Sequence, residues 1–406
     1  MAGSKKRTNA AAAAPPQPKK QHKESLNSDV IKLRGAKDLR SRLVLATLAR
    51  KKLEISGIRA DDESPGLRKE EASFVRLVDK LTSGSRIEIN ETGTTLRYAP
   101  GFLAGGTVEH DCSRSGRAVG WFLDAVLPLA PFGAAALELT LLGATCGDGA
   151  CRGADAIRAG ALPLLKAFGV EDCGVRVARR EAAVLEEDKT EALLAACASA
   201  ARGNIVLTCA PLRKLSPAAL DAVGLVKRVR GVAYCTRSAP ALANRCVAAA
   251  RGPLNRLLAD VRVTTDAAAK RDCFPSPGFG CCLVAETLDD RVLCADLDAH
   301  WYRTEAGDRP TPEDLGEAAA FVLLSEVNRG GVCDDHGQPL LFTLMALGPE
   351  DVSSAVTGPL TDRAVGRLRL IRQFLGVRFK LTRNGDATVR SACLGAGYQN
   401  FAKPVT

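Results

Sequence analysis

The chain has 406 residues, with 56 Lys and Arg against 46 Asp and Glu for a formal net charge of +10, and 46% of it is hydrophobic. That length exceeds one minimal core and suits one large domain or two, with an ordinary globular composition. No run of about 18 uncharged apolar residues is present, which argues against a membrane span, and no apolar core follows the basic N-terminal residues, which argues against a secretory signal. The positive excess points to an acidic partner, for which nucleic acid is the commonest choice. Fourteen cysteines stand mostly alone in apolar stretches (Cys197, Cys209, Cys246, Cys294, Cys393), with one adjacent pair, Cys281-Cys282. Without any Cys-x-x-Cys and with only four histidines, a zinc site has little to build on. The cysteines are expected to be free core thiols in a reducing compartment.

Residues 1–27 combine Lys5-Lys6-Arg7, an alanine run, Pro15-Pro16 and Lys19-Lys20. Such a segment buries no apolar surface and is expected to be a disordered basic tail, with a nuclear address or a nucleic-acid arm as its candidate roles. A helix is expected over Leu39–Leu48, then a strand over Lys52–Ile58. A second helix over Ala72–Leu81 turns Phe74, Leu77, Val78 and Leu81 to one face. Two strands, Arg86–Ile89 and Thr94–Tyr98, close the unit.

The order then recurs, with a helix over Gly116–Leu129, a strand over Leu137–Leu142 and a helix over Ala154–Phe168. Residues 181–283 hold strand candidates at Asn204–Cys209, Gly231–Tyr234 and Val261–Thr264, with a helix at Ala239–Leu258. They are expected to form a small inserted domain. Residues 28–180 and 284–406 would then make the large domain, the latter with helices at Leu340–Leu347 and Thr361–Leu375 around a strand at Val352–Val356. Strands over Arg378–Thr382 and Ala387–Ala392 end it. Helix ends at Gly169 and Gly376 fit left-handed caps. Paired helices between strands imply an α/β (α+β) fold with helices covering one face of each sheet.

Several strings in this order carry a resemblance: Gly93-Thr-Thr-Leu-Arg-Tyr-Ala-Pro-Gly101, Gly105-Gly-Thr-Val-Glu-His-Asp-Cys112 and Lys227-Arg-Val-Arg-Gly231. Ala243-Asn-Arg245, Ser276-Pro-Gly-Phe-Gly280, Val284-Ala-Glu-Thr287, Glu313-Asp-Leu-Gly316 and Arg329-Gly-Gly331 complete the set. Together they resemble the RNA 3′-terminal phosphate cyclase family over about residues 30–406, and its cyclase-like branch rather than the true cyclases. The resemblance implies three repeated βαβαββ-like units with a small α/β insertion. It also implies a nucleolar assembly factor of the small-subunit processome, acting in pre-rRNA processing with a ribosome-assembly GTPase, pre-rRNA and small nucleolar RNA, in the nucleus and nucleolus.

True cyclases use a histidine nucleophile, followed by an Asp-Gln pair, to form a nucleotidyl-histidine, and an early glycine-rich segment cradles phosphate. Here that early segment reads Arg34-Gly-Ala-Lys-Asp-Leu-Arg40, which keeps Gly35 and Arg40 but loses the glycine run. His336, in Asp334-Asp-His-Gly-Gln-Pro339, falls at or within a residue of the nucleophile position, with Pro339 and Leu340 replacing the Asp-Gln pair. The two preceding carboxylates are expected to favour its charged, non-nucleophilic form. The expectation is therefore no catalysis and no cofactor, with an active cyclase using His336 and Arg40 as the alternative.

Arg40, Arg59, His110 and Asp111 are candidates for a remnant pocket. An endonuclease built on Glu109, Asp111 and Asp124 is the third reading. Lys227, Arg228 and Arg230, with Arg237 and Arg245, are the candidate partner- or RNA-binding residues, suited to phosphate or to carboxylates on a protein. With two Trp and four Tyr, base stacking is poorly supported. The basic helix from Arg363 to Arg372 also reads as a solvated face.

Overall fold

Three times along the chain a strand, a helix, a strand, a helix and two strands follow one another. The computed structural model describes residues 30–400 except 185–189, 192, 194–196, 198–199, 269–271 and 386. The basic tail expected over residues 1–27 lies outside the described residues. The first unit comprises β1 (Val30–Arg34), α1 (Leu39–Ala49), β2 (Lys52–Ser56) and α2 (Lys69–Leu81). A two-residue strand β3 (Thr82–Ser83) leads to β4 (Arg86–Ile89) and β5 (Leu96–Ala99). The sheet order is β1-β2-β5-β4, with β1 parallel to β2 and the rest antiparallel.

A short β6 (Phe102–Leu103) pairs with β3, and the second unit begins at β7 (Gly106–Asp111). It continues through α3 (Val119–Val126), β8 (Leu137–Leu142), α4 (Ala154–Ala156), α5 (Leu162–Ala167), β9 (Cys173–Arg179) and β10 (Asn204–Cys209). Its order, β7-β8-β10-β9, repeats that of the first sheet. The third unit opens with β11 (Ala219–Leu220) and is then interrupted.

Sequence pattern explains the layering. Along β2 and β5, Leu53, Ile55, Leu96 and Tyr98 alternate with Lys52, Glu54 and Arg97, so one sheet face is apolar and the other faces water. The apolar face meets α1, whose residues Leu39 through Leu48 are almost all buried, as expected of a helix enclosed on every side. Helix α2 buries Phe74, Leu77, Val78 and Leu81, and carries Glu70 and Glu71 in its first turn and Lys80 in its last, which suits the helix dipole. Phe74 packs edge-on to Trp121 of α3 at 5.9 Å, tying the first two units together.

The interruption is a second body with its own core. It contains β12 (Val226–Thr236), α6 (Pro240–Asn255), β13 (Val261–Ala268), β14 (Gly278–Thr287), β15 (Val292–Asp298) and α7 (Pro312–Arg329). Its sheet runs β13-β12-β14-β15, and a core from Val229 to Leu323 lies beneath α6 and α7. The chain returns through α8 (Gln338–Leu347), β16 (Val352–Thr357), α9 (Asp362–Leu375), β17 (Phe379–Asn384) and β18 (Thr388–Leu394) to complete the sheet β11-β16-β18-β17.

These bounds differ from the expected 181–283. Asn204–Cys209 pairs with β8 and β9 and belongs to the second unit, while β14, β15 and α7 extend the inserted core well beyond residue 284. The ten-residue pairing of β12 with β14 carries that correction, because it commits the chain on both sides of residue 283 to one sheet.

The single helix expected over Ala154–Phe168 is broken by a π turn, Ile157–Ala161. Gly160 sits there with no room for a side chain, since a Cβ would approach Cys294 Sγ to 3.0 Å. All fourteen cysteines are free and all but Cys173 and Cys197 are buried, as core thiols should be. Among the described residues no helix is long and apolar enough to cross a membrane.

Candidate functional site

His336 lies in the loop between α7 and α8, at the rim of a cleft of about 340 Å³ between the inserted body and the second unit. The carboxylates that precede it are both engaged elsewhere. Asp334 is buried and accepts from Gly337 N (2.8 Å), from Cys294 N (3.2 Å) and from Arg152 Nη1 (3.3 Å). Asp335 takes the guanidinium of Arg329, and its amide donates to Glu326 at 3.1 Å.

His336 therefore does not receive the charge-favouring surroundings expected from its sequence. Its pKa is lowered, first by desolvation and then by the Arg152 charge, with Asp334 opposing. The imidazole is nevertheless exposed at the cleft mouth, so solvent moderates the desolvation part. The shift still runs downward, opposite to the direction expected from its two preceding carboxylates.

Arg152 is the centre of this region. Its Nη1 holds Asp334, and its Nη2 reaches Asp124 of α3 at 3.3 Å. Burial alone would lower its pKa, but Asp334 and Asp124 outweigh that and keep it charged. Arg40, at the start of α1, stacks its guanidinium on Trp121 at 3.9 Å, donates to the Trp121 carbonyl and lies 3.8 Å from Cys151 Sγ. Arg367 of α9 donates to Ser41 Oγ at 3.0 Å; burial lowers it to about 10, Arg40 adds to that and Asp124 opposes it. Arg152 carries no local sign of its buried partner Asp334, 182 residues away. Arg367 corrects the reading of its helix as a solvated face, since it is drawn inward to Ser41, 326 residues away.

Besides Arg152 the cleft is lined by Asp296, Asp298, Glu326 and Asp335, with Trp301 and Tyr302. Burial pushes Asp296 up to about 7, against the 2.6 Å hydrogen bond from Gly153 N, and Asp155 and Asp298 raise it further. Burial, followed by the Asp335 charge, likewise pushes Glu326 up to about 7. Arg152 is the one arginine or lysine lining the cleft, and both of its Nη atoms are committed. A magnesium ion would ease the entry of a triphosphate, but among the described residues no cluster of three or more His, Cys, Asp or Glu is placed to hold a metal. In the early loop, Arg42 folds back to donate to the Arg34 and Gly35 carbonyls at 3.3 and 2.7 Å.

The other candidates are scattered. Arg59 is clamped to Glu71 by two hydrogen bonds of 2.8 and 2.6 Å and pins the loop before α2. His110 is buried against Phe122 and bonded to Ser73 Oγ at 2.9 Å, a serine partner that the sequence did not reveal. Burial, and then the Lys80 charge, lower it to about 4. Ser73 and His110 are both closed to solvent, so the pair is positioned for packing rather than nucleophilic attack. Asp111 ends β7 and accepts from Ser113 N. Glu109 and Asp111 lie on the solvent face of β7, whereas Asp124 faces Arg152, so the three acids do not converge.

The basic string runs along β12 with a carboxylate at each step. Lys227 meets Asp290 (2.8 Å), Arg228 meets Glu286 (2.6 Å) and Arg230 meets Asp260 (2.7 Å). Arg245 of α6 pairs with Glu313 at 2.7 Å, and Arg237 follows β12 with a left-handed φ of 52°.

A repeated three-sheet body with an inserted α/β layer, and a histidine loop at their junction, defines a cyclase-type architecture. The sequence model of the RNA 3′-terminal phosphate cyclase family matches residues 31–381, and the chain belongs to that family. Among its relatives, the "RNA 3′-terminal phosphate cyclase-like protein" of Mus musculus is 42% identical, over 91% of this chain and 96% of its own length. The human protein of the same name is 41% identical over 91% of this chain and 96% of its own. The "rRNA processing protein rcl1" of Schizosaccharomyces pombe is 36% identical over 92% and 98%.

Proposed function

We propose that this chain is a non-catalytic factor in pre-rRNA processing, a nucleolar component of the small-subunit processome that works with a ribosome-assembly GTPase, pre-rRNA and small nucleolar RNA. The rRNA-processing role is supported by the name of the fission-yeast relative. The observation that carries the non-catalytic part is the cleft beside His336, which is lined by four carboxylates and by one arginine whose Nη atoms are already bound. A triphosphate brought there meets like charge from the carboxylates that are ionised, up to about 4 kcal/mol per ionised pair for a 4 Å approach at an effective dielectric near 20. Asp296 and Glu326 contribute only in part, because they are pushed up to about 7. We assign the GTPase contact to the β12 string, whose exposed pairs exchange partners at little cost. Replacing Lys227, Arg228 and Arg230 with Ala is expected to weaken GTPase capture without unfolding the chain, and unchanged capture at moderate salt removes the assignment.

One observation favours a second reading. A neutral, exposed imidazole is the form able to attack the α-phosphorus of ATP, displacing pyrophosphate and forming a phosphorus–nitrogen bond. Incubating purified chain with α-labelled ATP and magnesium, followed by denaturing electrophoresis, separates the two. The expected result is no retained label. A label that survives denaturation and vanishes in His336→Ala makes the chain an active cyclase.

A further inference from the structure

Three sheets of one topology provide an internal control. In each, one side packs against helices, while exposed charged residues stand on the other. The packed side is apolar in the first sheet but includes His110 in the second and Ser353, Thr357 and Ser391 in the third. In the first sheet the register places Lys32, Glu54, Arg97 and Glu88 side by side across all four strands. Arg34 lies beside Ser56, Lys52 beside Val30, and Arg86 beside Ala99. Four cations (Lys32, Arg34, Arg86, Arg97) thus share this face with two carboxylates, Glu54 and Glu88, an excess of two positive charges, with Lys52 beside them.

The other two faces are built differently. On the second sheet Glu109, Asp111 and Glu138 stand against Arg176 and Arg179. On the third, Arg390 is held by Asp221 at 3.0 and 2.9 Å, leaving Lys380 as its other cation. Since the other two sheets form with the same strand order and without such an excess, the topology does not require the cations of the first.

We propose that the solvent face of the first sheet binds the sugar–phosphate backbone of RNA. Lys32 and Arg34 stand about 7 Å apart along β1, and Arg97 lies two strands, about 9.6 Å, from Lys32 across Glu54, spacings of the order of successive phosphates on a nucleic-acid strand. Lys32, Arg34 and Arg86 are exposed and have no ionic partner among the described residues. Arg97 pairs with Glu54 at 3.1 Å but is 62% exposed, so phosphate can displace that carboxylate at small cost. Between the charges lie Val30, Ser56 and Ala99, and no large side chain offers the apolar centre that a protein interface places at its core. No aromatic ring lies among these cations either, so the contact is with phosphate and carries no base sequence.

This inference rests on the rRNA-processing reading for its choice of RNA, but the two fail separately: nucleotide labelling reports on His336, and RNA affinity reports on this sheet. The test measures binding of the full chain to a fluorescent mixed-sequence RNA hairpin across a salt series. The wild type is compared with the variant combining Lys32→Ala, Arg34→Ala, Arg86→Ala and Arg97→Ala, with Glu138→Ala on the second sheet as a control. All the changed side chains are exposed, and a thermal melt confirms that each variant is folded. Four lost phosphate contacts, at about 0.7–0.9 each, lower the log–log salt slope by about 3 and the affinity by well over tenfold, while Glu138→Ala leaves both unchanged. An unchanged slope in the combined variant overturns the proposal. So does displacement of the RNA by polyglutamate of equal charge concentration, which would make the face a dock for acidic protein.

Discussion

Around Arg152 the charges are buried and shared among several partners, whereas along β12 the same residue types stand in solvent as simple pairs. Arg152 is 6% exposed and binds Asp334 and Asp124, and Asp334 accepts two backbone amides as well. Arg228 and Glu286 meet across β12 and β14 with the arginine side chain 43% exposed. A charge of the first kind cannot lose its partner without being stranded away from water, while one of the second kind is simply rehydrated. Density of charge in a sequence therefore says little about availability. The densest basic string proved to be neutralised at every step, and an uncompensated cation excess lies on the first sheet, where the sequence showed no cluster.

The sharpest way to break this contrast is Arg152→Ala, which strands Asp334 and Asp124. It should cost about 3–5 kcal/mol in urea unfolding, and a cost below about 1 kcal/mol would mean that the network is solvated after all.

His110 provides an intermediate test. Its folded value of about 4 lies below the ordinary 6.5, so the unfolded chain takes up the extra proton first as pH falls. The stability it confers is whole above about pH 6.5 and is lost on the way down to about 4, roughly 2–3 kcal/mol in all. Glu181, Asp296 and Glu326, each pushed up to about 7 by burial, act in the opposite sense and gain stability as pH falls below 7. The wild type must therefore be compared with His110→Gln, which still hydrogen-bonds Ser73. The difference between their unfolding energies should shrink from pH 7 to pH 4.5, and a constant difference would show that His110 is hydrated. The smallest effect belongs to the Arg228–Glu286 pair. A double-mutant cycle should give a coupling of at most about 1 kcal/mol that fades at high salt.

Local pattern made much of the fold legible. The expected helix Leu39–Leu48 is observed as Leu39–Ala49, Thr361–Leu375 as Asp362–Leu375, and the strand Leu137–Leu142 is unchanged. Helix α7 went unnoticed, although Thr311 caps it with Asp314 in a capping box, because its apolar stripe is short and interrupted by Gly316. That glycine lets α7 approach α6 closely, since a Cβ there would meet the Cys246 carbonyl at 2.2 Å. The insertion was misplaced because Asn204–Cys209 reads as a strand but carries no mark of which sheet it joins. The candidate site was legible in part, as His336 with its preceding carboxylates, Arg40 and Asp124. Its electrostatics depend on Arg152 and Arg367, which meet their partners only through tertiary folding.

The loop from Cys146 to Gly153 has a mechanical consequence. Gly153 N is bonded to Asp296 of the inserted body, and Arg152 beside it grips Asp124 in the second unit and Asp334 beside the third. Any swivel of the insertion against the large domain would have to break the Gly153–Asp296 bond and pull Asp334 away from Arg152, leaving that buried carboxylate without its ionic partner. The two bodies consequently meet a binding partner as one rigid piece, already in their final mutual orientation. Little motion is then left to freeze on association, so more of the interaction energy at the surface remains as affinity.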